Sequence, residues 1–140
     1  MMSAVWEAGP PAVQFRIARP TDQLDAVVRF YHEGLGLPII DSFGGEGHAG
    51  YTGVMLGLPG HDYHLEFTQH EDGSPCPAPT DDNLLVFYVP DRTAIDRIAG
   101  RLAALGHHPV PPENPYWEGR GITVADPDGW RLVLMNTEGI

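Results

Sequence analysis

The sequence predicts an α+β domain built from one βαβββ module used twice, and three observations lead there. Strand-like and helix-like patterns run in the order βαβββ through the first half, then start again after a proline-rich break at residues 70–82. A shift of 70 residues lays Pro20 on Pro90 and Leu35-Gly36 on Leu105-Gly106, at matching points of both helices. The length of 140 residues suits a single domain with a real core and is too short for two ordinary ones. The domain is placed at residues 13–136, with modules at about 13–69 and 83–136, a linker at 70–82 and an N-terminal extension at 1–12.

Residues 12–18 alternate as a short strand that ends before Pro20, and Thr21 or Asp22 is positioned to cap a helix after it. Leu24, Val27, Val28, Tyr31 and Leu35 then recur at helical spacing, which predicts a helix of about three turns stopped by Gly34-Leu35-Gly36. Residues 37–43, 51–58 and 62–69 read as three strands, divided by Gly44-Gly45 and by the turn Pro59-Gly60. In the second half residues 83–89 form a strand ending at Pro90, and Ile95, Ile98, Leu102 and Leu105 mark a helix face that Gly106 closes. Residues 108–110, 122–125 and 130–136 supply the last strands, the final two joined by the turn Asp126-Pro127-Asp128-Gly129.

Composition removes several kinds of chemistry. Acidic residues number 19 and basic residues 8, a net charge of −11 that repels nucleic acid phosphates and anionic membrane surfaces and suits a cationic or neutral small ligand. Every basic residue is arginine, so neither Schiff-base catalysis nor a phosphate-loop lysine is available. Cys76 is alone, which rules out an internal disulfide and zinc-type cysteine spacing and makes a cytoplasmic location the expectation. Residues 1–11 lack a basic start and an apolar run, and read as a ragged terminus and not a signal peptide; no membrane span is expected. Ser3, Ser42 and Ser74 sit in no nucleophile elbow.

Alternate residues of a strand face opposite sides of its sheet. One parity gives Phe15/Ile17, Leu65/Phe67, Leu85/Phe87 and Leu132/Leu134, apolar pairs expected beneath the helices. The other parity gives Gln14, Arg16 and Ala18; His64, Glu66 and Thr68; Leu84, Val86 and Tyr88; and Arg131, Val133 and Met135. On this reading the first half supplies the polar groups of a pocket and the second half an apolar wall.

The duplicated modules, the helix motif Asp25-Ala-Val-x-Arg-Phe-Tyr31 with Gly34-Leu-Gly36, the strand His64-Leu-Glu66-Phe67, and Asn114-Pro-Tyr-Trp117 followed by Asp126-Pro-Asp-Gly129 carry a resemblance. Over residues 13–136 the chain resembles the vicinal oxygen chelate superfamily, the glyoxalase/bleomycin resistance/dioxygenase proteins. The resemblance implies an eight-stranded curved sheet around a cleft, and a homodimer. It also implies four metal-ligand places, usually His or Glu, which fall near Gln14 or Arg16, at Glu66, near Leu84 or Val86, and at Val133. Only Glu66 among them offers a lone pair of the right kind, since leucine and valine have none and a guanidinium is a permanent cation. No resident cofactor is therefore expected, a divalent metal being the alternative.

Glu66 and His64 are the candidate catalytic pair, with Arg16, Tyr88, Tyr116 and Trp117 as candidate ligand-binding residues. The simpler readings are a Glu66–Arg16 strut, a solvent-facing His64 near a strand end, and Trp117 in packing; His48, His61, His70, His107 and His108 have no metal-ligand spacing. If Arg16 leaves Glu66 free, a cationic or aromatic ligand gains an ion pair there and stacking on Tyr116 and Trp117. If the two pair, removing the carboxylate strands the arginine. The function expected is a small-molecule binding protein of resistance or sequestration type, its ligand in the cleft between the two modules and without the metal site. The alternative is a metal-dependent or metal-independent lyase, isomerase or dioxygenase of the same superfamily.

Overall fold

A computed structural model describes residues 12–140; the expectation of a ragged terminus at 1–11 lies outside the described residues. The chain runs β1 (Phe15–Pro20), α1 (Leu24–Arg29), β2 (Ile39–Phe43), β3 (Tyr51–Leu56), β4 (Tyr63–His70), β5 (Leu84–Tyr88), α2 (Arg92–Ala104), β6 (Pro109–Val110), β7 (Gly121–Ala125) and β8 (Arg131–Met135). The eight strands fall into two four-stranded sheets with one wiring, β1-β4-β3-β2 and β5-β8-β7-β6. In each module the first strand pairs parallel to the last and the other pairs are antiparallel. That repetition of topology is what the 70-residue offset required.

One core serves both modules. Leu24, Val27, Phe30, Tyr31, Leu56, Leu65 and Phe67 of the first close on Ile95, Leu102, Val124, Leu132 and Leu134 of the second. The helix faces of the two sheets therefore share an interior, and the helix-free faces lie on the other side of each sheet. At the crossing of the helices, a Cβ built on Gly34 would stand 2.3 Å from Leu102 Cδ2, so only a hydrogen fits. Arg101 of α2 reaches back and donates to the carbonyls of Gly34 and Leu35 at 3.0 and 3.2 Å, satisfying the end of the first helix.

Four expectations need correction. The first helix is six residues of α-helix followed by a wider turn over Phe30–Gly34, where Leu35 N–H donates to the Phe30 carbonyl five residues back. Its N-cap is Gln23, without a side-chain cap; Thr21 instead accepts from the Gln23 N–H and Asp22 from the Ser74 N–H. The first strand begins at Phe15, three residues later than the alternation suggested. Phe15 and Ile17 share the helix-side parity with Tyr63 and Leu65 yet stay 59% and 43% exposed, because β1 is an edge strand and the core reaches it only near its end, at Arg19. The remaining parity holds: Leu65, Phe67, Leu132 and Leu134 are buried, and Leu85 and Phe87 pack against the same cluster.

Candidate functional site

Parallel pairing of β1 with β4 sets Arg16 opposite His64 and Ala18 opposite Glu66 on the helix-free face. Arg16 spans both partners. Its Nε donates to His64 Nε2 at 2.7 Å, and its Nη1 donates to Glu66 Oε2 at 3.2 Å. The first bond requires Nε2 to accept, which leaves the ring proton on Nδ1. That Nδ1 is buried and meets no partner among the described residues.

His64 is thus not the solvent-facing histidine that its strand-end position suggested; it is 4% exposed, lying beneath Arg16 and beside Gly57, whose missing side chain leaves room for it. Glu66 is ion-paired. The free surface of the group is Arg16, whose side chain is 46% exposed against 12% for Glu66. Among the described residues two of its five N–H donors are engaged, by these partners, which leaves three for an oxygen acceptor.

The second module does not complete this group. Tyr88 is exposed, with Gly139 of the C-terminal tail beside its ring. Tyr116 and Trp117 sit in a short 3₁₀ turn after Asn114, whose side chain accepts from the Tyr116 N–H, and their rings meet edge to face at 4.8 Å. Among the described residues no hydrogen bond, ion pair or ring contact joins Tyr88, Tyr116 or Trp117 to Arg16, His64 or Glu66. On the helix-free parity of the second sheet Val133, Met135 and Thr123 are buried.

The residues do not fit the superfamily's metal ion. The register places Val86 beside Val133 and Arg16 beside His64, and of the places that the resemblance implies for ligands (near Gln14 or Arg16, at Glu66, near Leu84 or Val86, and at Val133) only Glu66 carries a carboxylate or imidazole. The Nε2 lone pair of His64 already faces Arg16, and a Glu66 oxygen is held by the same guanidinium. A divalent ion would have to displace a cation from both. Among the described residues no group of three His, Cys, Asp or Glu side chains is arranged to hold a metal.

Sequence reasoning missed a second polar group at the seam of the modules. Arg19 of β1 donates to Asp126 at 2.7 Å and Asp128 at 3.0 Å, both in the turn between β7 and β8, and the Tyr31 hydroxyl donates to Asp126 at 2.8 Å. The guanidinium lies between the rings of Phe67 and Trp130, 5.1 and 5.2 Å from their centroids. Burial pushes the Asp126 carboxyl up, opposed by Arg19, and burial with the nearby Asp126 charge pushes the Tyr31 hydroxyl well up. The available signal was Arg19 itself, an arginine on the same parity as Phe15 and Ile17.

Two equally wired βαβββ modules around a common core define the glyoxalase/bleomycin resistance/dioxygenase fold, and the chain is a member of the vicinal oxygen chelate superfamily. Within it, residues 15–68 match the YycE-like N-terminal domain and residues 82–136 the YycE-like C-terminal domain, so the chain belongs to the YycE-like family. It is 56% identical over 129 residues to the YycE protein of Bacillus subtilis strain 168, covering 92% of this chain and 91% of that one. The crystal structure of a B. subtilis YycE protein of unknown function, a candidate glyoxalase/fosfomycin resistance protein, superposes with a TM-score of 0.85 over 92% of this chain and 93% of that one. Glyoxalase I of Leishmania major is 21% identical, with a TM-score of 0.68 over 91% of this chain and 87% of that one. The antibiotic binding protein TnmS3 of Streptomyces sp. CB03234 is 22% identical, with a TM-score of 0.59 over 87% and 93%. These last two likenesses establish the fold alone.

Proposed function

We propose that this protein binds a small molecule on the helix-free face of its first sheet, through Arg16, and does so without a resident metal. The observation that carries the reading is Arg16, its side chain 46% exposed, bridging His64 and Glu66 with donors left over among the described residues. Because Glu66 is paired, a cationic ligand must compete with Arg16. A ligand carrying a carboxylate or phosphoryl oxygen instead adds a charge-assisted bond to a guanidinium already held in place. The existence of an antibiotic binding protein on the same fold supports a binding role of resistance or sequestration type. A cytoplasmic homodimer completes the reading, in keeping with the lone Cys76 and the exposed apolar side chains of the first sheet's outer strands.

The test pairs elemental analysis with a ligand screen. Protein purified without added ion is expected to carry no stoichiometric metal. Thermal-shift screening is expected to find ligands with an oxyanion group whose affinity falls roughly tenfold or more in Arg16→Gln, the loss of one charge-assisted contact. About one nickel, zinc, iron or manganese per chain would overturn the metal-free reading and give the enzyme alternative its footing. Ligands that bind Arg16→Gln as tightly as wild type would remove Arg16 from the site.

A further inference from the structure

A cavity of about 390 Å³ lies between the modules, away from the Arg16 face, where β1 and β4 approach the start of β5. Ile17, Leu65, Phe67, Leu84, Leu85 and Trp130 form most of its wall. We infer that it is a second binding site, for a small uncharged aromatic molecule.

The charged groups beside the cavity already have their bonds made, which favours an uncharged ligand. Among the described residues the charged one in the wall is Arg19, and its guanidinium is held by Asp126 and Asp128. All four oxygens of those carboxylates are engaged. Asp126 Oδ2 accepts from Arg19 and the Tyr31 hydroxyl, and its Oδ1 accepts from the backbone N–H groups of Asp128 and Trp130. Asp128 Oδ2 accepts from Arg19 and its Oδ1 from the Gln23 side chain. A cation finds no free carboxylate there, and an anion meets one positive charge already answered by two negative ones. The indole N–H of Trp130 is likewise spent, donating to the Cys76 carbonyl at 2.8 Å.

Beside the uncharged Asn83 and Cys76, what the wall still offers is apolar surface. A void lined by leucine, isoleucine and aromatic carbon holds water poorly and takes up apolar molecules. The volume is within the ordinary range for small-molecule sites. Ile17, 43% exposed at the rim, has no place in the core cluster, so the opening is bordered by an apolar side chain that the fold leaves uncovered.

Two probes of one skeleton test this. N-phenyl-1-naphthylamine is uncharged, and 1-anilinonaphthalene-8-sulfonate adds a sulfonate to the same rings. The intact protein is expected to bind the uncharged probe saturably, one per chain by fluorescence titration, and the sulfonate at least tenfold more weakly. Ile17→Trp fills the rim from β1, and Leu84→Trp fills it from β5 should the first variant fold poorly; either is expected to weaken the uncharged probe tenfold or more. Glu66→Gln, on the other sheet face, should leave that binding unchanged, which separates this site from the one proposed above. Absence of saturable binding, equal affinity for the sulfonate, or full binding in a folded filling variant would each overturn the inference.

Discussion

Arg16 and Arg19 stand three residues apart on one strand and face opposite sides of it, so the two form different kinds of ion pair. Arg16 and Glu66 meet on an open face, where solvent screens the pair and exposed ion pairs contribute at most about 1 kcal/mol. Glu66→Gln is accordingly expected to lower the unfolding free energy by no more than about 1 kcal/mol in urea titrations. A larger loss would mean that Arg16 cannot find water or another acceptor once its partner is neutral. The buried Tyr31–Asp126 bond is expected to respond to alkali. Folded Tyr31 holds its proton well above the ordinary value near 10, whereas the unfolded chain releases it there. The stabilisation is therefore full below pH 10 and is lost as pH rises toward the folded value. Tyr31→Phe should cost about 1 kcal/mol at neutral pH, and its deficit against wild type should shrink in urea midpoints taken above pH 10. A deficit unchanged by pH would show that the hydroxyl is not held as a buried donor. The Glu66–Arg16 strut was legible in the sequence because both residues lie on one strand parity. The burial of His64 was not, since it depends on Arg16 folding over it and on Gly57 leaving space.

The first helix illustrates which features of an element the sequence carries. Its apolar spacing is real, with Leu24, Val27, Phe30 and Tyr31 all buried. Periodicity alone does not register that the second half of the run widens into a turn, and that turn is where another element packs against it. Gly34 presses on Leu102 of α2, and Arg101 draws the Gly34 and Leu35 carbonyls toward itself. Leu102 is fully buried and has no space to retreat into. Gly34→Ala is thus expected to destabilise the fold by about 1 to 3 kcal/mol in chemical unfolding, although alanine is the better helix former. Wild-type or greater stability in that variant would show that the crossing is loose. The strands divide in the same way. Parity was readable for β4 and β8, whose two neighbours and helix cover make burial follow alternation. It failed for Phe15 and Ile17 on β1, where burial depends on whatever lies beyond the edge.

At the scale of the whole molecule, the outer strands of the sheets are unpaired on one side among the described residues. In the first sheet those strands are β1 and β2, and they carry exposed Phe15, Ile39 and Ile40. A lone chain would present to water both the free backbone groups of these edges and their apolar side chains, a combination that invites pairing with another copy. Charge opposes that pairing, because each chain brings −11 and like-charged surfaces repel. Repulsion between exposed charges is screened by salt, whereas burial of isoleucine and phenylalanine is not weakened by it. A dimer held by apolar contact against net repulsion should therefore tighten as salt is raised. Light scattering is expected to give twice the chain mass of 15.3 kDa at micromolar concentration, with the dimer persisting to lower concentration at about 0.5 M salt than at about 0.05 M. Dissociation promoted by salt would place ion pairs, and not these apolar strands, at the interface. A mass near 15.3 kDa at every concentration and both salt levels would establish that the edges stay free in solution.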